Sequence, residues 1–151
     1  MISVQPQDFD IGAEITRLTA GRADVGAVVT FTGLVRDMAQ APLKALTLEH
    51  YPGMTEKSLA AIEAEARARW PLDDCLIIHR FGRLLPGDRI VLVITTSAHR
   101  DAAFEAARFL MDWLKTKAPF WKREETGEGA QWVEAKASDG EAAFKWKKGP
   151  A

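Results

Sequence analysis

Cysteine is nearly absent. Cys75 is the one thiol in 151 residues, which excludes an internal disulfide and any zinc or iron–sulfur site built from cysteines. It lies in an apolar, strand-like run and reads as an inert buried thiol. Long hydrophobic runs are missing too. The longest uncharged stretch, residues 25–35, has eleven residues, whereas a membrane-spanning helix needs about 18 or more. The opening MISVQPQDFD lacks the basic start and apolar stretch of a secretory leader, so a reducing cytoplasm is the expected compartment. No sign of charge dominates: 20 Lys and Arg stand against 21 Asp and Glu, a net charge of −1. No global field draws the chain onto nucleic acid or a membrane, and any anion site must be a local cluster.

The common chemical signatures are also wanting. There is no GxxxxGK[ST] and no GxSxG, and the GxG at Gly127-Glu128-Gly129 has no third glycine to complete a dinucleotide fingerprint. His50, His79 and His99 are too far apart in sequence to form a metal pair on one helix, so no metal site is expected. No internal repeat or low-complexity linker divides the chain. It reads as a single domain over 1–151, with a polar tail at about 137–151.

What is present is ordinary globular material: 47% apolar and 27% charged residues, enough at this length to bury a core. Residues 2–5 suit a short strand. Asp8 or Asp10 can cap a helix over about 11–20, with Ile11, Ile15, Leu18 and Thr19 near one face. The β-branched run 25–35 predicts a buried strand, and 43–50 looks like its partner. After Pro52-Gly53, Thr55 is a plausible N-cap for a helix over 56–69 with a Leu59, Ile62 and Ala66 stripe, ended by Pro71. Residues 74–81 and 89–96 predict an antiparallel pair across the Pro86-Gly87-Asp88 turn. Ser97 to Lys117 carries the longest helix signal, with Phe104, Ala107, Met111 and Leu114 on one face and Ala106, Phe109, Leu110 and Trp113 widening it. FWKRE (120–124) and QWVEA (131–135) predict a last strand pair. The class is α+β, with antiparallel strand pairs and two main helices.

Three local features invite a chemical reading. At Ser97-Ala98-His99-Arg100-Asp101 a strand hands over to a helix, where free N–H groups favour anions. Arg100 has the wrong charge for helix stability there; an anionic ligand explains it, as does a plain solvent-facing arginine. In WLKTKAPFWKR (113–123), Lys115, Lys117, Lys122 and Arg123 occur with no acid among them. Lys115 and Lys117 suit a helix C-terminus, but Lys122 has no such explanation. With the turn forced by Pro119, Lys115 and Lys122 can flank one pocket among Trp113, Phe120 and Trp121, each lowering the other's pKa. A solvated basic loop is the plainer alternative. In FTGLVRD (31–37), Gly33 permits a bulge or close backbone approach, and Arg36 follows at the strand's end.

FTGLVRD, ALTLEHYPGMTEKSL, ARARWPL, IHRFGRLLPGD, TSAHRDAAFEAARFLMDWLKTKAPFWKRE and WVEA together resemble the large, catalytic subunit of molybdopterin synthase, over most of residues 25–136. The resemblance implies an α/β-hammerhead-type fold and a sulfurtransferase that converts cyclic pyranopterin monophosphate to molybdopterin. The two sulfurs come from the C-terminal Gly-Gly thiocarboxylate of a small ubiquitin-like subunit. It implies a homodimer within a heterotetramer, and no metal or cofactor for this step.

On that resemblance Lys115 and Lys122 fall at the reacting carbon. Arg36, His99 and Arg100, with backbone from Leu34 and Val35, fall at pterin and phosphate recognition, and Arg123 and Glu124 beside Lys122. Phe31 and Met111 match pocket-lining residues, and Lys136 stands where relatives often carry an arginine. Leu34 departs from a common lysine. The chain ends Gly-Pro-Ala, so it is not itself the sulfur carrier. Without the resemblance two other readings stay open: an RNA-binding domain using Phe120, Trp121, Lys122 and Arg123, against which the balanced charge argues, and a scaffold that binds a ubiquitin-like protein without catalysis.

Overall fold

Two four-stranded sheets divide the work of building the core and building a pocket. The computed structural model describes residues 1–37, 42–133 and 146. In chain order the elements are β1 (Ile2–Gln5), α1 (Ile11–Thr19), β2 (Ala27–Leu34), β3 (Leu43–His50), α2 (Met54–Arg69), β4 (Asp74–Arg80), β5 (Gly82–Leu84), β6 (Arg89–Ser97), α3 (Arg100–Thr116), β7 (Phe120–Thr126) and β8 (Gly129–Val133). The first sheet has the order β1-β4-β6-β2 and the second β5-β3-β7-β8. This is the α+β class expected, with β1 parallel to β4 and the other pairs antiparallel.

The two apolar runs 74–80 and 89–97 are central strands, so both of their faces are covered, and period-2 alternation splits them between two cores. Cys75, Ile77, Val91 and Val93 pack beneath α2 and α3 against Leu59, Ile62, Ala66, Phe109 and Leu110. Leu76, Ile78, Leu92 and Ile94 face α1, against Phe9 and Leu18. Cys75 is fully buried, and burial pushes its thiol up to about 12, in keeping with an inert thiol. A third, smaller cluster of Val35, Leu43, Leu46, Leu48 and Leu84 belongs to the second sheet.

Strand pairing departs from the sequence reading. β3 does not pair with β2. It lies between β5 and β7, while β2 lies along β6 at the edge of the first sheet. Sequence neighbours are the default partners of a strand, but here the chain leaves the first sheet at Val35. The Val35 N–H donates to Asp88 O at 2.8 Å and the Gly87 N–H to Val35 O at 2.7 Å. That clasp fixes the end of β2 to the turn before β6.

Helix ends also differ. Asp10, not Asp8, caps α1, accepting from the Ala13 N–H at 3.0 Å; Asp8 pairs with Arg89 at 2.7 Å. The N-cap of α2 is Gly53, at φ 84°, and the Glu56 carboxylate accepts from its N–H. Thr55 is already inside the helix and fully buried. α3 begins at Arg100, because Ser97 completes β6 and donates its hydroxyl to Pro71 O at 2.7 Å. Phe104 is 60% exposed, and the buried face of α3 is carried by Ala103, Ala106, Ala107, Phe109, Leu110 and Leu114. β8 starts at Gly129; residues 134–135, expected to extend it, lie outside the described residues, as does the tail apart from Trp146, which packs against Trp70 and Phe109. No helix among the described residues is long and apolar enough to cross a membrane.

Candidate active site

A cavity of about 600 Å³ opens where the inner face of the second sheet meets the C-terminal turn of α3 and the end of β2. Each wall follows from local geometry. On β7 the side chains alternate, so Phe120, Lys122 and Glu124 share one face, opposite His50, Leu48 and Leu46 of β3. On α3, Met111 and Lys115 stand one turn apart and share a face. At the end of β2 the register slips between Gly33 and Leu34. This bulge lets the consecutive residues Gly33, Leu34, Val35 and Arg36 all border the cavity. Gly33 is required there: a Cβ would press into the Val91 side chain at 2.8 Å.

The cavity thus brings together Phe31, Leu34, Val35, Arg36, Met111, Lys115, Lys122 and Glu124 from the expected set. Three cations face one carboxylate over an apolar floor of Leu46, Leu48 and Phe120. Such a site favours an anionic ligand with a flat or apolar body. Lys115 is exposed at the rim, and Lys122 is half-buried.

Other expected residues lie elsewhere. Arg123 is turned by strand alternation to the opposite face of the second sheet, between Thr47 and Trp132. Its Nε is buried with no acceptor among the described residues. Trp121 shares that outer face and is exposed. Lys117 lies over the Trp113 ring at 5.3 Å, and both border a smaller cavity between α2 and α3. His99 and Arg100 are exposed at the N-terminal end of α3. At 1.5 Å of rise per residue, Arg100 and Lys115 are about 22 Å apart along the axis. Lys136 lies outside the described residues. Among the described residues no group of three or more His, Cys, Asp or Glu is placed to hold a metal.

One pocket residue escaped the sequence reading. His79, near the end of β4, lines the cavity, is nine-tenths buried, and stacks on Phe120 with ring centroids 3.7 Å apart and planes 16° from parallel. Burial, with Lys122, Lys115 and His50 nearby, lowers its pKa to about 4. In sequence it is one polar residue at the end of an apolar strand, which reads as a core histidine.

Residues 4–117 match the family model described as MoaE protein. The molybdopterin synthase catalytic subunit of Escherichia coli is 60% identical over 146 residues, covering 96% of this chain and 97% of that protein. The subunit of the same name from Mesorhizobium japonicum is 59% identical over 148 residues, covering 97% and 92%. Among solved structures, the molybdopterin biosynthesis MoaE protein of Burkholderia ambifaria superposes with a TM-score of 0.83 at 50% identity, covering 97% of both chains. Molybdopterin synthase of Staphylococcus aureus superposes with a TM-score of 0.80 at 32% identity, covering 87% of this chain and 96% of that one.

Proposed function

The chain belongs to the MoaE family of molybdopterin synthase catalytic subunits, and from that premise we propose how its pocket performs the sulfur transfer. The substrate is cyclic pyranopterin monophosphate, and the sulfur donor is the C-terminal thiocarboxylate of a small ubiquitin-like subunit. Both bring negative charge, and both need cations in one place. The observation that carries the reading is the convergence of Arg36, Lys115 and Lys122 on one cavity of about 600 Å³ with a single opposing carboxylate, Glu124.

In each round the thiocarboxylate sulfur attacks an oxygen-bearing carbon of the pterin side chain; the new C–S bond replaces a C–O bond, whose electron pair leaves with the oxygen, and the partner's tail stays attached as a thioester. Lys115 orients and polarises the thioacyl carbonyl, and Lys122 neutralises the charge that develops beside it. Water then cleaves the thioester, which leaves sulfur on the substrate and frees the partner as a carboxylate. A second round completes the dithiolene. Arg36 holds the phosphate, with backbone from Leu34 and Val35, while Phe31 and Met111 give the pterin an apolar wall. No thiol of this chain takes part, in keeping with the buried Cys75. The reducing cytoplasm suits a free thiocarboxylate.

His99 and Arg100 cannot join the lysines of their own chain across about 22 Å of helix. In a homodimer they are offered to the pocket of the other copy, whose phosphate they help to hold. Arg123 supports Lys122 from the far face of β7 rather than touching substrate, and Lys136 supplies a further cation.

The test is a mixing assay. Protein, thiocarboxylated partner and cyclic pyranopterin monophosphate are combined, and the dithiolene product is sought by mass. Product formation is expected. A bound partner with no product would make the chain a scaffold, and RNA binding that weakens steeply with salt would revive the nucleic-acid reading.

A further inference from the structure

The reaction above leaves two titratable side chains of the described pocket residues without a part, His79 and Glu124, and only His79 is buried. β4 carries it between β1 and β6, opposite Val4 and Val91. The flat contact with Phe120 fixes the plane of its ring. Its Nδ1 lies 2.9 Å from the Arg80 carbonyl oxygen. A carbonyl can only accept, so Nδ1 carries the hydrogen. Burial beside Lys122, Lys115 and His50 keeps the ring neutral, with its pKa near 4. Nε2 is therefore a bare lone pair on a residue that borders a cationic cavity.

A lone pair repels the anions this cavity is built for and attracts an N–H. Lys122 is two residues beyond Phe120 on the same face of β7, and the Phe120 ring covers His79. We propose that His79 is a positioning residue whose Nε2, once substrate is bound, accepts a hydrogen bond from the Lys122 ammonium, aiming that charge at the reacting anions without cancelling it. A carboxylate in its place would neutralise the lysine, and an imidazolium would repel it. The proposal rests on the synthase reading and assigns a role within it.

Two variants separate this role from simple packing. His79→Phe keeps a flat ring over Phe120 and has no acceptor. His79→Gln loses the ring but can set an amide oxygen near the position of Nε2. An acceptor role predicts that the Gln variant stays within about threefold of wild type, while the Phe variant loses about 10- to 100-fold in kcat with KM for cyclic pyranopterin monophosphate little changed. A packing role predicts the reverse order. That reverse order, or wild-type kcat in the Phe variant, overturns the proposal.

Ring ¹⁵N shifts of wild-type protein holding cyclic pyranopterin monophosphate, without the sulfur donor, give a readout independent of turnover. Across neutral pH they should report a protonated Nδ1 and a bare Nε2, and Nε2 should move in Lys122→Met. A protonated Nε2, or one indifferent to that substitution, overturns the proposal whatever the activity. Wild-type protein that makes no product overturns the synthase reading instead.

Discussion

The buried hydroxyl of Thr55 donates to the carbonyl oxygen of Pro119 at 3.2 Å, and accepts from the Tyr51 N–H at 2.9 Å. One side chain at the start of α2 thereby holds both the exit of β3 and the entrance to β7, the two strands that form the pocket's inner wall. Thr55→Val keeps the shape and removes both bonds, leaving two backbone groups short of a partner. It should cost about 1–3 kcal/mol in urea denaturation and lower turnover, because Phe120 follows Pro119 directly. Thr55→Ser should restore most of both. A Val variant as stable and active as wild type would remove the clamp from the account.

Lys115→Ala and Lys122→Ala should each lower product formation about 10²–10³-fold, the usual cost of losing one stabiliser of developing charge. Native gels or calorimetry should show the partner still bound. Normal turnover by either variant ends that lysine's assignment.

Arg36→Ala should weaken apparent substrate affinity about 10- to 100-fold, as expected for a charge-assisted bond to phosphate, with much less effect on partner affinity. Titration calorimetry with each ligand separately checks the split. Equal losses for both would place Arg36 at the partner's tail instead.

Acid should destabilise the fold in two windows. Unfolded, the imidazole of His79 titrates near its ordinary 6.5, and folded near 4. Between those values the unfolded chain binds more protons, so stability falls as pH drops from about 6.5 to about 4, by about 3 kcal/mol in all. Lys122, Lys115 and His50 all oppose its protonation. The Asp8 carboxyl is held down to about 2, chiefly by its hydrogen bonds from Arg89 and the Phe9 N–H. Its contribution is present above about 3.9 and lost as pH falls toward 2; both partners are largely exposed, so this second loss is small. Urea midpoints measured against pH should show the first slope vanish in His79→Phe and the second in Asp8→Asn.

Gly26 donates its N–H to Ser97 O at 3.0 Å, and a Cβ there would land on the carbonyl oxygen of Ala98. Gly26→Ala forces β2 away from the strand-to-helix junction before His99. A loss of about 1–3 kcal/mol is expected, read as a lowered Tm; an unchanged Tm would mean that the junction yields freely.

Element types were legible in the sequence because each carries its own period and its own breaks: alternation in the strands, the Leu59, Ile62 and Ala66 stripe, and the stops at Pro71 and Pro119. Strand partners were not. The pairing of β3 with β7 rests on contacts between segments far apart in the chain, which no local pattern encodes. The three-residue β5 was too short to signal itself. Lys122 stood out because helix stability does not call for it, whereas Lys115 also suits a helix C-terminus and Arg36 was marked only by its place at a strand's end. His79 did not, since a polar residue closing an apolar strand looks the same whether it lines a core or a pocket. Arg123 shows the opposite hazard: adjacency in sequence to Lys122 places it on the other side of a sheet.

The register of β3 against β7 also sets when the pocket can exist. β7 follows α3, while β3 is made early and has its Leu46 and Leu48 ready before anything covers them. During synthesis the wall that carries Lys122 therefore closes only after α3 and β7 have both been made. Until then the nascent protein shows a greasy strand with no pocket behind it. A truncated product ending after α3 would be a client for chaperones rather than a slow enzyme.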